Sequence, residues 1–227
     1  MKRILFIGFF GMKYKHASYY INMWKKLNCE VDYIPYNILD VVVPIKYYNR
    51  ITRISDSTKS YSTKSDITRI SDSTKYKEYD YAYCISGGCL YLHHLTFNKN
   101  ININNIIFDS GPFNHSASHL EHFIHNTYNL HFLPLNNSIS KYWKFKNIDI
   151  DIINNHYSDN ILYKNIPKLI LTSKKDTIIN NIYINNYINS HKVNNITHIE
   201  FENGKHANLY KYNEKLYTDI LYNYISK

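Results

Sequence analysis

Cysteine is scarce in this sequence: Cys29, Cys84 and Cys89 are the only three in 227 residues. The number is odd and the spacing fits no zinc or redox pattern, which excludes a disulfide framework and points to a reducing, intracellular compartment. Long apolar runs are missing as well. None reaches the ~18 residues that a membrane-spanning helix needs. The opening Met1-Lys2-Arg3-Ile4-Leu5-Phe6-Ile7 has a basic head and a short apolar stretch, but no small-residue cleavage site follows, so it reads as a buried first strand and not as a signal peptide. Blocks of basic residues are absent too. Lys and Arg outnumber Asp and Glu by 27 to 18, a formal net charge of +9. They are scattered, without the clustered patch that phosphate binding needs, so nucleic acid is not an expected partner. Ala, Gly and Leu are little used, while Asn, Ile, Tyr and Lys abound. All four favoured residues have A/T-rich codons, so the bias reflects the genome more than the chemistry.

What is present is enough for one core. Hydrophobic residues make up 44% of the chain, which excludes a wholly disordered protein, and the length suits a single domain over residues 1–227. One stretch stands apart. The nine residues Ile51 to Lys59 recur word for word as Ile67 to Lys75, with a Ser/Thr/Lys-rich spacer between them. Two copies are too few for a solenoid, and the composition has no helical or strand period, so residues 50–76 read as a duplicated low-complexity insertion.

Elsewhere strand and helix patterns alternate. Strands are expected at Arg3 to Gly8, Glu30 to Pro35, Asp80 to Ile85, Asn105 to Phe108, Lys168 to Thr172 and Ile196 to Phe201. Helices are expected at Ala17 to Leu27, Cys89 to Phe97, Ile178 to Ser190 and Leu209 to Ile225. The last carries an apolar stripe of Tyr210, Leu216, Tyr217, Ile220, Leu221 and Tyr224. This alternation implies an α/β fold, a mostly parallel sheet with helices on both faces. In such sheets ligands bind outside the carboxyl ends of the strands. Ser86, Asp109, Asp176 and His206 each follow a strand end, so all four are expected along one rim.

These four residues suggest a chemistry. Ser86 is followed by Gly87 and Gly88, as a nucleophile on a tight strand-to-helix turn requires; Cys84 stands where the first glycine of G-x-S-x-G belongs. His206 lies on a loop after the last strand, where a base can shuttle a proton. Asp176 can hold the imidazole tautomer or cap the following helix. The chain order Ser, Asp, His is that of α/β-hydrolases. Backbone N–H groups of Phe9 and Gly87 are the candidate oxyanion hole. Gly8, Phe10, Gly88, Asp109 and Ser110 are expected to line the pocket, and residues 113–160 fall where such enzymes carry a lid. His115, His119, His122 and His125 have helical spacing, but no HExxH-type partner accompanies them, so no metal and no cofactor is expected.

Five motifs carry a resemblance. The opening Gly8-Phe9-Phe10-Gly11-Met12-Lys13-Tyr14-Lys15-His16, with Tyr19-Tyr20 and Trp24, resembles "GWxGAKxKHLxKYxxLW". Ile85-Ser86-Gly87-Gly88 resembles "FSNGG", and Phe108-Asp109-Ser110-Gly111-Pro112 resembles "FDSGP". Leu171 to Asp176 resembles "LYSKKD", and Lys205-His206-Ala207 resembles "SxHV". Together they resemble the transmembrane-protein-53-like family of eukaryotic α/β-hydrolases over nearly the whole chain outside residues 50–76 and parts of 114–160. The family has Trp at Phe9 and Asn at Gly87. The resemblance implies an α/β-hydrolase fold lacking the usual first two strands, and the same three catalytic residues. Some members are associated with nuclear membranes. The expectation is a serine esterase or thioesterase acting on a small-molecule acyl substrate. The alternative is a catalytically silent hydrolase-fold binding or membrane-peripheral protein, and the expected location is intracellular, soluble or membrane-peripheral, in the cytoplasm or at the nuclear envelope. The oligomeric state is left open.

Overall fold

The computed structural model describes residues 1–9, 11–35, 77–97, 101–112, 116–128, 132–145, 165–191 and 195–227. Six strands are β1 (Lys2–Ile7), β2 (Cys29–Ile34), β3 (Lys77–Ile85), β4 (Ile101–Asp109), β5 (Lys168–Ser173) and β6 (Ile196–Phe201). They lie side by side in the order β2-β1-β3-β4-β5-β6, and every neighbouring pair is parallel. The helices are α1 (Tyr14–Lys26), α2 (Gly88–Phe97), α3 (Ala117–Tyr128), α4 (Leu135–Phe145), α5 (Asn181–His191), α6 (Leu209–Tyr212) and α7 (Glu214–Ile225). The duplicated segment 50–76 and pocket candidate Phe10 lie outside the described residues.

Successive side chains of a strand point to opposite faces, and that period of two divides the core. Leu5, Ile7, Ala82, Cys84, Ile106, Phe108 and Ile170 pack on one face under α2, α3, α4 and α5. Ile4, Phe6, Tyr81, Tyr83, Ile107, Leu169 and Leu171 pack on the other under α1, α6 and α7. All six residues of β5 are buried, as a parallel strand covered on both faces should be. The described part of 113–160 forms α3 and α4, and their Ala117, Leu120 and Trp143 join the first of these clusters.

Two helices differ from the expected ones. The closing helix is two helices, not one, because the backbone at Asn213 leaves the helical region and its side chain accepts from Leu216 N–H as an N-cap. The break shifts the stripe. Tyr217, Leu221 and Ile225 are buried, while Leu216 is 46% exposed. Helix α5 starts at Asn181 and not at Ile178, since the Asp176 carboxylate takes the N–H groups of Ile178 and Ile179 into a turn ahead of it.

The contact that seats the turn after β3 is between α2 and the end of β1. A Cβ built on Gly88 would fall 2.6 Å from the carbonyl oxygens of both Ile7 and Gly8. No side chain fits there, and backbone cannot step aside cheaply. Gly88→Ala is therefore expected to cost at least about 2 kcal/mol through overpacking, or to prevent folding. Gly11 is the contrast. It has φ +73 but nothing within 4 Å of a built Cβ, so Gly11→Ala should cost only about 1 kcal/mol of conformational strain. Urea denaturation of the two variants checks the ranking; equal losses would mean that steric contact at Gly88 is relieved by a small shift of α2.

Candidate active site

Ser86 follows β3 and precedes α2 with only Gly87 between. Its φ is +51, a left-handed conformation that a residue with a side chain rarely adopts and that marks a strained turn. The turn is pinned on both sides. Ser86 N–H donates to the Asp109 carbonyl at 2.8 Å, and the Ser86 carbonyl accepts from Cys89 N–H at 2.9 Å. The hydroxyl is thus carried past the sheet edge on an element that cannot turn away.

The imidazole of His206 meets that hydroxyl. His206 Nε2 lies 2.6 Å from Ser86 Oγ, and His206 Nδ1 lies 2.7 Å from Asp176 Oδ2. Side-chain exposure is 9% for His206 and 3% for Asp176, and Ser86 as a residue is 3% exposed. Asp176 faces the imidazole, and instead of capping a helix at Ile178 it closes a turn ahead of α5. Its Oδ1 accepts from Ile178 N–H and Ile179 N–H, each at 2.9 Å, while Oδ2 faces the imidazole. The two amide bonds orient the carboxylate, so its free oxygen is aimed before any chemistry begins.

The oxyanion candidates lie beside the turn. The Gly8–Phe9 loop is pressed against the start of α2 by the contact at Gly88. Among the described residues, no hydrogen bond takes up the N–H of Phe9 or of Gly87. Cys84, two residues before Ser86, and Cys89, three after it, are fully buried, and burial holds both thiols protonated well above the usual range. Neither competes as a nucleophile.

Asp109 and Ser110 do not line a pocket as expected; both are buried beneath the rim, 0% and 1% exposed. Asp109 Oδ2 accepts from the Tyr217 hydroxyl at 2.6 Å and from the Tyr83 hydroxyl at 3.3 Å, while Oδ1 accepts from Ser110 Oγ at 2.9 Å. Ser110 Oγ in turn accepts from Ala207 N–H at 2.9 Å. The chain end of β4 turns inward here because Ser110, at φ +56, sends its N–H to the Leu171 carbonyl at 2.9 Å. Asp109 is thus no rival to Asp176 as the partner of His206, since hydroxyls already occupy both its oxygens. Of the histidines on α3, His122 Nε2 lies 2.9 Å from the Thr177 carbonyl, His125 Nε2 lies 2.7 Å from the Leu133 carbonyl, and His119 stacks edge-on against Tyr183. Each has a packing role, and among the described residues no three His, Cys, Asp or Glu side chains gather as metal ligands.

Sequence reasoning passed over Tyr20, Tyr83, Ser173 and Tyr217, which hold the loop and its buried carboxylate. Tyr20 donates to the Ala207 carbonyl at 3.0 Å, and Ser173 Oγ donates to the Gly204 carbonyl at 2.8 Å. With 24 tyrosines in the chain, no one of them signals a role. Tyr20 and Ser173 lie in quoted motifs and Tyr217 in the apolar stripe of the closing helix, and these are the cues the sequence offered.

No protein-family model matches the sequence, and no curated protein is similar to it at the level of sequence. Solved structures are similar in shape. An esterase of Pyrococcus furiosus aligns with a TM-score of 0.61 at 13% identity, over 99% of this chain and 81% of that one. An alpha/beta hydrolase enzyme from a Medee basin deep-sea metagenome aligns at 0.57 and 11%, over 100% and 90%. The esterase domain of a Rhodothermus marinus protein aligns at 0.56 and 9%, over 98% and 85%. The chain has the α/β-hydrolase fold. An α/β-hydrolase fold hosts many activities, so function must be argued from its site. Among the described residues no helix is long and apolar enough to cross a membrane.

The buried carboxylate gives a pH signature. Burial raises Asp109 from an ordinary 3.8 to about 6, against the opposing pull of its bonds from Tyr217, Ser110 and Tyr83. The folded protein then holds this proton more tightly than the unfolded chain. Ionised Asp109 costs about 3 kcal/mol above about pH 6 and nothing below about pH 4. Its contribution to stability accordingly falls as pH rises between those values. Asp109→Asn removes the titration. The stability difference between wild type and Asp109→Asn, read from urea curves, should move about 3 kcal/mol in favour of wild type from pH 7 to pH 4; a flat difference would rule out titration of this group.

Proposed function

We propose that the chain is a serine hydrolase of acyl esters or thioesters, in which Ser86 is the nucleophile, His206 the general base and acid, and Asp176 the residue that fixes the imidazole. One observation carries the reading: His206 bridges Ser86 Oγ at 2.6 Å and Asp176 Oδ2 at 2.7 Å, three groups brought together from the ends of three different strands. The five motifs that resemble those of the transmembrane-protein-53-like group are in keeping with this reading.

The chemistry follows from the donors and acceptors. With the Nδ1 proton given to ionised Asp176, the Nε2 lone pair faces the Ser86 hydroxyl. Ser86 Oγ attacks the carbonyl carbon while its proton passes to Nε2. Negative charge then develops on the carbonyl oxygen. The N–H groups of Phe9 and Gly87 serve as its donors, and because they are backbone groups on fixed turns they need no reorganisation. The imidazolium, stabilised by Asp176, returns the proton to the departing alkoxide or thiolate. Water repeats the sequence on the acyl-enzyme and frees Ser86.

A fluorophosphonate probe tests this directly. Wild-type protein should become labelled, and Ser86→Ala should not. Asp176→Asn should lower the hydrolysis of a p-nitrophenyl ester about 10⁴-fold, because an amide leaves the imidazole in the wrong tautomer. Folded wild-type protein that refuses the probe would overturn the hydrolase reading in favour of a binding protein on the same fold.

A further inference from the structure

Both peptide groups of Ala207, the residue after His206, are gripped from separate elements. Its N–H donates to Ser110 Oγ at 2.9 Å, at the end of β4. Its carbonyl accepts from the Tyr20 hydroxyl at 3.0 Å, on α1. Ala207 has φ +52, a conformation that costs free energy for any residue with a Cβ and persists only where its surroundings enforce it. The enforcing bonds here are these two. A third bond, from Ser173 Oγ to the Gly204 carbonyl at 2.8 Å, holds the chain two residues ahead of the imidazole.

Ser110 is not a second nucleophile. It is 1% exposed, and the group beside it is a carboxylate and not an imidazole. Its proton goes to Asp109 Oδ1 at 2.9 Å. An ionised carboxylate has no hydrogen to donate, so Ser110 must be the donor in that bond, which leaves its lone pairs for Ala207 N–H. Tyr217 and Tyr83 fill the other carboxylate oxygen and keep it from turning.

We propose that Ser110 and Tyr20 are positioning residues for His206: they fix the backbone at Ala207 and so aim the imidazole at Ser86 Oγ, with Asp109 setting the direction of the Ser110 hydroxyl. The effect on rate rests on the serine-hydrolase reading; the aiming of the ring does not. A general base works only within hydrogen-bond reach of its proton, and a misplacement of about 1 Å costs up to about 10²-fold in rate. Neither Ser110 nor Tyr20 reaches the rim where substrate would sit, so the loss should fall on kcat and spare KM.

The test measures hydrolysis of p-nitrophenyl butyrate by Ser110→Ala and Tyr20→Phe, each in the wild-type and in the His206→Ala background. It also follows the low-field proton resonance of the imidazole N–H shared with Asp176. In the wild-type background kcat should fall about 10- to 100-fold with KM within about twofold. In the His206→Ala background the same changes should cost nothing further, because the residues act through the ring. The low-field resonance should be broadened or lost in both variants. Tyr20→Phe keeps its ring packing and carries the test should Ser110→Ala fail to fold. Equal losses in both backgrounds, or an unchanged kcat with an unchanged resonance, would overturn the proposal. Wild-type protein that neither turns over nor takes the fluorophosphonate, yet loses the resonance in the variants, would sink the hydrolase reading and leave the positioning role standing.

Discussion

Between the start of α2 and the end of β1 there is room for a hydrogen atom and nothing more. The carbonyls of Ile7 and Gly8 stand 2.6 Å from where a Cβ of residue 88 would be. That close approach lets α2 begin directly after Gly87. Ser86 is thereby left at the apex of a turn with its φ at +51. It also brings the Phe9 loop against the same turn. The turn at Ser86 and the placement of the Phe9 loop beside it are therefore consequences of a single packing constraint. Cys84 in place of the usual first glycine is compatible with it. That residue points to the α2 face, where it is wholly buried beside Cys89.

The rim carries two carboxylates, and their surroundings give them different work. Asp176 sits on a loop with two backbone N–H groups on one oxygen, which leaves the other for His206. Asp109 is sunk into the core with only hydroxyls around it, and burial outweighs their support enough to raise its pKa to about 6. Two amide hydrogen bonds hold the Asp176 carboxylate in one orientation, whereas a dry cage of tyrosines makes charge on Asp109 expensive. The difference between Asp176 and Asp109 follows from these surroundings, although Asp109 ends β4 and Asp176 follows the end of its neighbour β5.

The sheet was legible in the sequence, because β-rich stretches such as those of β1, β3 and β5 end in polar or glycine turns. The meeting of Ser86, Asp176 and His206 was legible for a related reason: each follows a strand, and the topology then gathers them on one edge. Local turns chosen by side chains were not legible. The carboxylate at Asp176 delayed α5 to Asn181, and Asn213 split the closing helix, since Asx side chains compete with helical hydrogen bonding in ways that apolar periodicity does not record. Asp109 was misread as pocket-lining because the same strand-end argument that places it on the rim cannot tell whether its side chain points out or in. The inward turn depends on Ser110 N–H reaching Leu171 and on tyrosines from β3 and α7, contacts remote in sequence.

Tyrosine abundance, which composition alone ascribes to the genome, has structural consequences. Tyr83 stacks on Phe6 with ring centroids 5.3 Å apart and meets Trp24 edge-on at the same separation. A phenylalanine at 83 could make those contacts. What it could not do is satisfy Asp109, or bond the Tyr217 hydroxyl at 2.8 Å. A buried tyrosine brings a hydroxyl that must find a partner, and a buried carboxylate needs donors. Each requirement is met by the other. Tyrosine at positions 83 and 217 therefore lets the core tolerate a carboxylate directly beneath the loop that carries His206. That carboxylate orders the serine that holds the residue next to His206. The fold places four hydroxyls, those of Tyr20, Tyr83, Ser110 and Tyr217, where the geometry of the imidazole depends on them.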